Sequence, residues 1–206
     1  MVTVGITGGI GSGKTYVCRM LADEGFPVFY CDLEAHRLMH RDASLRDGLR
    51  RLVGEEVYNA DGRLCKPVLS AYIRRGEAYA EKVNALVHPR VRDAFLKMRK
   101  AYGGMPPLMR PQALVMECAL LYESRFDDLV ELSVHVSAPQ ELRIRRLMAR
   151  DGISPGQARQ WMELQMPEEE KRRRADLVID NDGETAPDLG NLLERIREIN
   201  AKHKQN

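Results

Sequence analysis

The run Gly8-Gly9-Ile10-Gly11-Ser12-Gly13-Lys14-Thr15 has the residue types and spacing, G-x-x-x-x-G-K-[ST], that hold a nucleotide by its phosphates. Glycines lack Cβ, so the backbone can curl closely around an anion, and successive N–H groups then point inward to it. A helix starting near Gly13 adds the positive end of its dipole. Lys14 brings a point charge to the β- and γ-phosphates. Thr15 offers a hydroxyl to Mg²⁺, a cation that prefers hard oxygens and binds largely through phosphates. Gly9, Gly11, Ser12, Gly13, Lys14 and Thr15 are therefore the candidate nucleotide-binding residues, with ATP and Mg²⁺ the expected ligands. A glycine-rich turn that binds nothing is the alternative. The surroundings oppose it: a β-branched run, Val2–Ile6, precedes the loop and a helical pattern, Tyr16–Ala22, follows it.

Other chemistry-bearing residues fall at ends of apolar runs. Asp32 ends Pro27–Cys31, at a sheet edge where ligands of open α/β folds bind. There it can take a proton from a substrate hydroxyl or hold Mg²⁺, or else serve as a helix N-cap. His36 lies one helical turn further on the same face, and Arg37 follows it; either can bind substrate phosphate or pair with Asp32. Arg143, Arg146 and Arg150, spaced i, i+3, i+7, share one helical face. They read as a lid that closes over ATP, where arginines stabilise charge on the transferring oxygens. Lys171-Arg172-Arg173-Arg174 reads as a mostly solvated basic face. His88-Pro89 reads as a junction, with Pro89 opening a new helix at its first position. Glu117 ends another apolar run, as a cap or structural ion pair.

These residues need a scaffold. Five strand-like runs are expected: Val2–Thr7, Pro27–Cys31, Ala113–Cys118, Leu129–Ser137 and Asp176–Asp180. Helical stretches separate them, the pattern of a parallel sheet. The fold class expected is therefore α/β, a three-layer P-loop NTPase fold with a five-stranded parallel sheet. Residues 33–105 are too long for one crossover and read as an inserted helical substrate-binding subdomain. Residues 139–174 read as an arginine-rich helical lid, and a last helix covers about 185–203. The core is then about 1–32, 108–138 and 175–206 of a single domain. At 206 residues, 44% hydrophobic and 30% charged, the chain suits one such domain. A net charge of +2 gives no argument for a nucleic-acid surface. Cys18, Cys31, Cys65 and Cys118 form no C-x-x-C pair, against a zinc site or disulfide framework and consistent with a reducing cytoplasm. No apolar run approaches a membrane span. A GTPase would need N-K-x-D for guanine, which the sequence lacks.

Taken together, the chain resembles the dephospho-coenzyme A kinases. Thr7–Thr15 is similar to that family's T-G-G-I-G-S-G-K loop, and Gly25-Phe26-Pro27-Val28 leading to Asp32 to its second strand. Leu86-Val87-His88-Pro89 resembles its L-x-H-P element, Leu120-Leu121-Tyr122-Glu123 its P-L-L-F-E element, and Arg146 with Arg150-Asp151 its lid. Gln165, Ala175-Asp176, Val178-Ile179 and Asn181 resemble its C-terminal segment. There are two departures: Tyr30 stands where the family has the first Asp of D-x-D, and Ala119 replaces a proline, with Glu117 where Asp is common. The resemblance implies transfer of the ATP γ-phosphoryl to the ribose 3′-hydroxyl of dephospho-CoA. It implies Asp32 as base, Lys14 and Arg146 as catalytic, Arg150 and Asn181 near ATP, and His36, His88, Leu120 and Glu123 toward substrate. Thr15 and Asp32 are the metal candidates. Another P-loop nucleotide or small-molecule kinase is the alternative. The expected partner is dephospho-CoA, with no nucleic acid and no membrane, for a monomer or weak homo-oligomer.

Overall fold

Strand β1 (Val2–Thr7) is buried at every position, as a strand covered on both faces of a parallel sheet must be. In the computed structural model, which describes residues 1–205, it is the central strand of five. The others are β2 (Val28–Tyr30), β3 (Ala113–Glu117), β4 (Leu132–Ser137) and β5 (Leu177–Asp180), in the order β2-β3-β1-β4-β5. β1 pairs in parallel with β3 on one side and β4 on the other, and β4 pairs in parallel with β5. The chain leaves β1 where the strand order switches, the place at which such sheets bind ligands. Helix α1 (Lys14–Asp23) starts there and buries Val17, Cys18 and Leu21.

The chain divides into two units, one of residues 1–29 and 102–206 and the other Tyr30–Ala101. In the first, β3 leads through a 3₁₀ turn (Asp127–Leu129) to β4, which therefore begins at Leu132 rather than Leu129. Residues 139–174 fold as three helices: α6 (Gln140–Asp151), α7 (Pro155–Glu163) and α8 (Glu168–Arg174). Gly152 at φ 65° stops α6, and a reciprocal Ser154–Gln157 capping box starts α7. The last helix, α9, runs Gly190–His203. It starts later than about 185 because the Asp182 carboxylate accepts from the Glu184 and Thr185 N–H groups and holds a turn there.

The second unit is helical: α2 (Cys31–Arg41), α3 (Ala43–Val53), a 3₁₀ turn (Glu55–Val57), α4 (Lys66–Ile73) and most of α5 (Glu77–Gly103). Leu45, Leu49, Val57, Leu69, Val87 and Phe95 are among its buried apolar residues. Asp42 caps α3 through the Leu45 N–H, and Tyr58 donates to the Met39 carbonyl, tying α2 to the segment after the 3₁₀ turn. Pro89 does not open a helix, as its sequence suggests; it lies inside α5. Buried Val83, Val87, Val91 and Phe95 carry one apolar stripe straight past it, and that packing outweighs the lost backbone hydrogen bond. The Arg90 guanidinium donates to the Leu86 carbonyl at 2.8 Å beside the break.

Candidate active site

The phosphate loop joins β1 to α1 and is held from several sides. Gly13 is the N-cap of α1 at φ 94°, a left-handed conformation costly for any residue with a Cβ. Such a Cβ would also run into the Asn181 amide. Lys14 is almost fully buried, and its Nζ donates to the Gly8 and Gly9 carbonyls at 3.0 and 3.2 Å. These are weak neutral acceptors for an ammonium, so an anion in the loop can draw the amine away from them.

Arg146 and Asn181 meet on the far limb of the loop. Arg146 Nη1 donates to the Gly11 and Ser12 carbonyls at 3.2 and 3.1 Å, and its Nη2 to Asn181 Oδ1 at 3.3 Å. Asn181 Nδ2 donates to the Ser12 carbonyl at 2.7 Å, and its own backbone N–H is held by Ser137. Gly13, Tyr16, Arg146, Asn181, Gly183 and Thr185 help line a cavity of about 480 Å³ beside the loop.

Thr15 is exposed, and its hydroxyl donates to Glu117 Oε2 at 3.4 Å. Glu117 is thus more than a strand cap: it sets a carboxylate next to the hydroxyl expected to face Mg²⁺. Among the described residues no group of three or more His, Cys, Asp or Glu could hold a metal. One hydroxyl and one carboxylate suit an ion that takes its other ligands from phosphates and water.

The arginine stripe divides by depth. Arg143 is 5% exposed and turned inward, its Nε donating to the Ile10 carbonyl at 2.9 Å and its Nη1 pairing with Glu168 at 2.8 Å. Arg146 is on the loop. Arg150 is exposed and paired with Asp151. The basic run 171–174 also divides, and one member departs from the mostly solvated face expected of it. Lys171 is fully buried, with its Nζ 2.7 Å from the Ala119 carbonyl and 2.9 Å from Glu123. The first turn of α8 sets it against that segment, and the paired carboxylate removes the cost of an isolated buried charge. Arg172, Arg173 and Arg174 are exposed. Glu123 also accepts from the Met166 N–H at 3.0 Å, and Leu120 beside it is half-buried.

Two residues that sequence reasoning passed over, His135 and Glu168, complete this cluster. His135 is fully buried on β4, its Nε2 2.7 Å from Glu168 Oε1. A histidine between Val134 and Val136, inside a buried strand, is the signal that could have found it. Burial raises the Glu168 carboxyl, but the His135 hydrogen bond and the Arg143 and Lys171 charges outweigh this and hold it below the usual range.

In the second unit, Asp32 lies in the first turn of α2, exposed and without an ion pair among the described residues. Arg37 pairs with Glu34, with Nε–Oε2 at 2.7 Å, rather than with Asp32. The His36 ring meets that of His40 edge-on at 4.6 Å; desolvation, then His40 and Lys66, push its pKa down. His88 is half-buried in α5, and burial lowers its pKa as well.

Known proteins share this organisation. The dephospho-CoA kinase family model matches residues 2–187. A dephospho-CoA kinase from Salinibacter ruber is 43% identical over 185 residues, covering 89% of this chain and 90% of that protein. A crystal structure of a Thermus thermophilus protein superposes with a TM-score of 0.74 at 33% identity, covering 98% of this chain and 97% of that one. Dephospho-CoA kinase from Campylobacter jejuni, at 20% identity, has the same fold, with a TM-score of 0.62 over 98% and 95% of the two chains. Match and likeness extend over nearly the whole sequence, and on that ground the chain belongs to the dephospho-CoA kinase family.

Proposed function

We propose that this protein transfers the γ-phosphoryl group of ATP to the ribose 3′-hydroxyl of dephospho-CoA, giving CoA and ADP in the cytoplasm. The observation that carries the nucleotide half is the convergence of Arg146 and Asn181 on the loop carbonyls beside a buried Lys14. The acceptor half rests on family membership.

In this reading the loop N–H groups and the α1 dipole hold the β- and γ-phosphates, and Lys14 leaves the Gly8 and Gly9 carbonyls for the phosphate oxygens. The cavity beside Asn181 takes the adenosine. Arg146, one hydrogen bond from the loop, neutralises charge growing on the transferring oxygens, and Arg150 joins it by giving up Asp151. Asp32 accepts the proton of the 3′-hydroxyl as the O3′–P bond forms and the bond from γ-phosphorus to its bridging oxygen breaks. The proton then passes to water, and ADP carries the leaving electron pair. Helices of 30–101, with His36 and His88, grip the substrate, and Leu120 and Glu123 border it. Thr15 and Glu117 would hold Mg²⁺, with Asp32 reaching it directly or through water; when bound, it neutralises the β- and γ-oxygens.

The test is ADP release from Mg-ATP, measured with dephospho-CoA, with AMP and without an acceptor. Turnover that depends on dephospho-CoA and yields CoA is expected. A clear preference for another acceptor would overturn the substrate assignment and keep the phosphoryl-transfer chemistry.

A further inference from the structure

Both ends of the Ile10 residue, at the apex of the phosphate loop, are held by side chains from residues 139–174, one on α6 and one in the link between α7 and α8. Its N–H donates to Gln165 Oε1 at 2.9 Å, and its carbonyl accepts from Arg143 Nε at 2.9 Å. Among the described residues Arg143 has a single ion-pair partner, Glu168, and Glu168 is fixed in turn by His135. His135 stands in register with Thr7, the last residue of β1 before the loop. The pair packs directly on the loop: a Cβ on Gly9 would overlap both the Arg143 guanidinium and the Glu168 carboxylate. Gly9 has no left-handed φ, so its need for glycine is clearance for this pair. One turn along α8, Lys171 is anchored to Ala119 and Glu123. A helix of seven residues has little stability of its own, so the half-buried Glu168 and the buried Lys171 fix its place.

We propose that Glu168 is a positioning residue for nucleotide binding: braced by His135, it holds Arg143 on the Ile10 carbonyl and so, with Gln165, sets the loop in its phosphate-binding shape. The bound nucleotide is that of the proposed function. The role is indirect, since Glu168 acts on the loop only through Arg143. It also makes α8 a fixed brace, not part of a moving lid.

Two variants test this in the full-length protein. Glu168→Gln keeps size and removes charge. Arg143→Lys keeps the charge for Glu168 but cannot reach both the carboxylate and the Ile10 carbonyl. Mg-ATP affinity without acceptor, by titration calorimetry, should weaken about tenfold in each, the loss of roughly one charge-assisted hydrogen bond's worth of order. Amide exchange of the peptide covering residues 8–13 should quicken while that of β1 and β4 does not. In turnover the KM for ATP should rise more than kcat falls. Glu170→Gln, on the exposed side of α8 among Arg173 and Arg174, should leave affinity unchanged. Lower melting temperature with unchanged affinity and loop exchange would overturn the proposal, as would an equal loss in Glu170→Gln. If the wild type binds Mg-ATP but does not phosphorylate dephospho-CoA, the substrate assignment fails while these binding results still decide the role of Glu168.

Discussion

At the scale of single residues, the loop's glycines do different work. Gly13 is needed for its backbone angle, and Gly9 for the space taken by two side chains. Gly13→Ala combines a left-handed Cβ with a clash on Asn181, and should cost about 1–2 kcal/mol from the backbone angle alone, read by urea denaturation, with loss of nucleotide affinity. Asp32 is exposed and carries no competing ion pair among the described residues, as a base that must meet a substrate hydroxyl should be. Asp32→Asn is nearly isosteric but a poor proton acceptor. It should lower kcat roughly 10²–10⁴-fold with calorimetric Mg-ATP affinity retained; turnover near wild type would reduce Asp32 to a first-turn acid on the α2 dipole.

At the scale of elements, α8 shows how a short helix is fixed by buried charge. Its three leading glutamates and four trailing basic residues suit the helix dipole, but two of them, Glu168 and Lys171, also reach inward. Lys171→Met would leave the Ala119 carbonyl with only the long 3.5 Å contact from the Thr7 hydroxyl, and Glu123 without this cation. Breaking such a pair by one partner costs about 3 kcal/mol, the lower end of the buried range because Glu123 keeps some solvent. Adding Glu123→Leu should recover part of the loss, which a double-mutant cycle by denaturant titration would measure. Failure to recover would mean that Glu123 is needed for the Met166 N–H instead.

At the scale of the whole molecule, pH should act in two separate windows. His36 and His88, both in the 30–101 unit, have folded pKa values pushed below the ordinary 6.5. A base with a depressed pKa binds its proton more readily when unfolded. Stability is therefore fully present above about 6.5 and falls as pH drops below it. Glu168 is a depressed acid: its contribution is present above the usual carboxylate range and is lost only as pH falls through its lowered folded value. Melting temperature against pH should thus decline first in the weakly acidic range and again in the carboxylate range. His88→Gln should flatten the first decline and leave the second, which circular-dichroism melts would read.

The sequence by itself determined the nucleotide chemistry and the family. A phosphate loop is a local object, built by consecutive residues whose backbone freedom and charge can be read in order, and the apolar runs around it dictate strand, turn and helix. It also marked Arg146 and Asn181, though 35 residues apart, through family motifs. Only the tertiary structure decided what those residues do together, because that depends on which buried polar groups find each other across the sheet. Three arginines on one helical stripe look alike in sequence. In the fold one is buried against Glu168 and Ile10, one caps the loop carbonyls, and one stays at the surface with Asp151. Lys171 looks like its solvated neighbours until α8 is seated on Ala119 and Glu123. Pro89 looks like a helix start until an apolar stripe carries α5 past it. In each case desolvation and long-range packing outweigh local preference, and neither is written in the spacing of neighbouring residues.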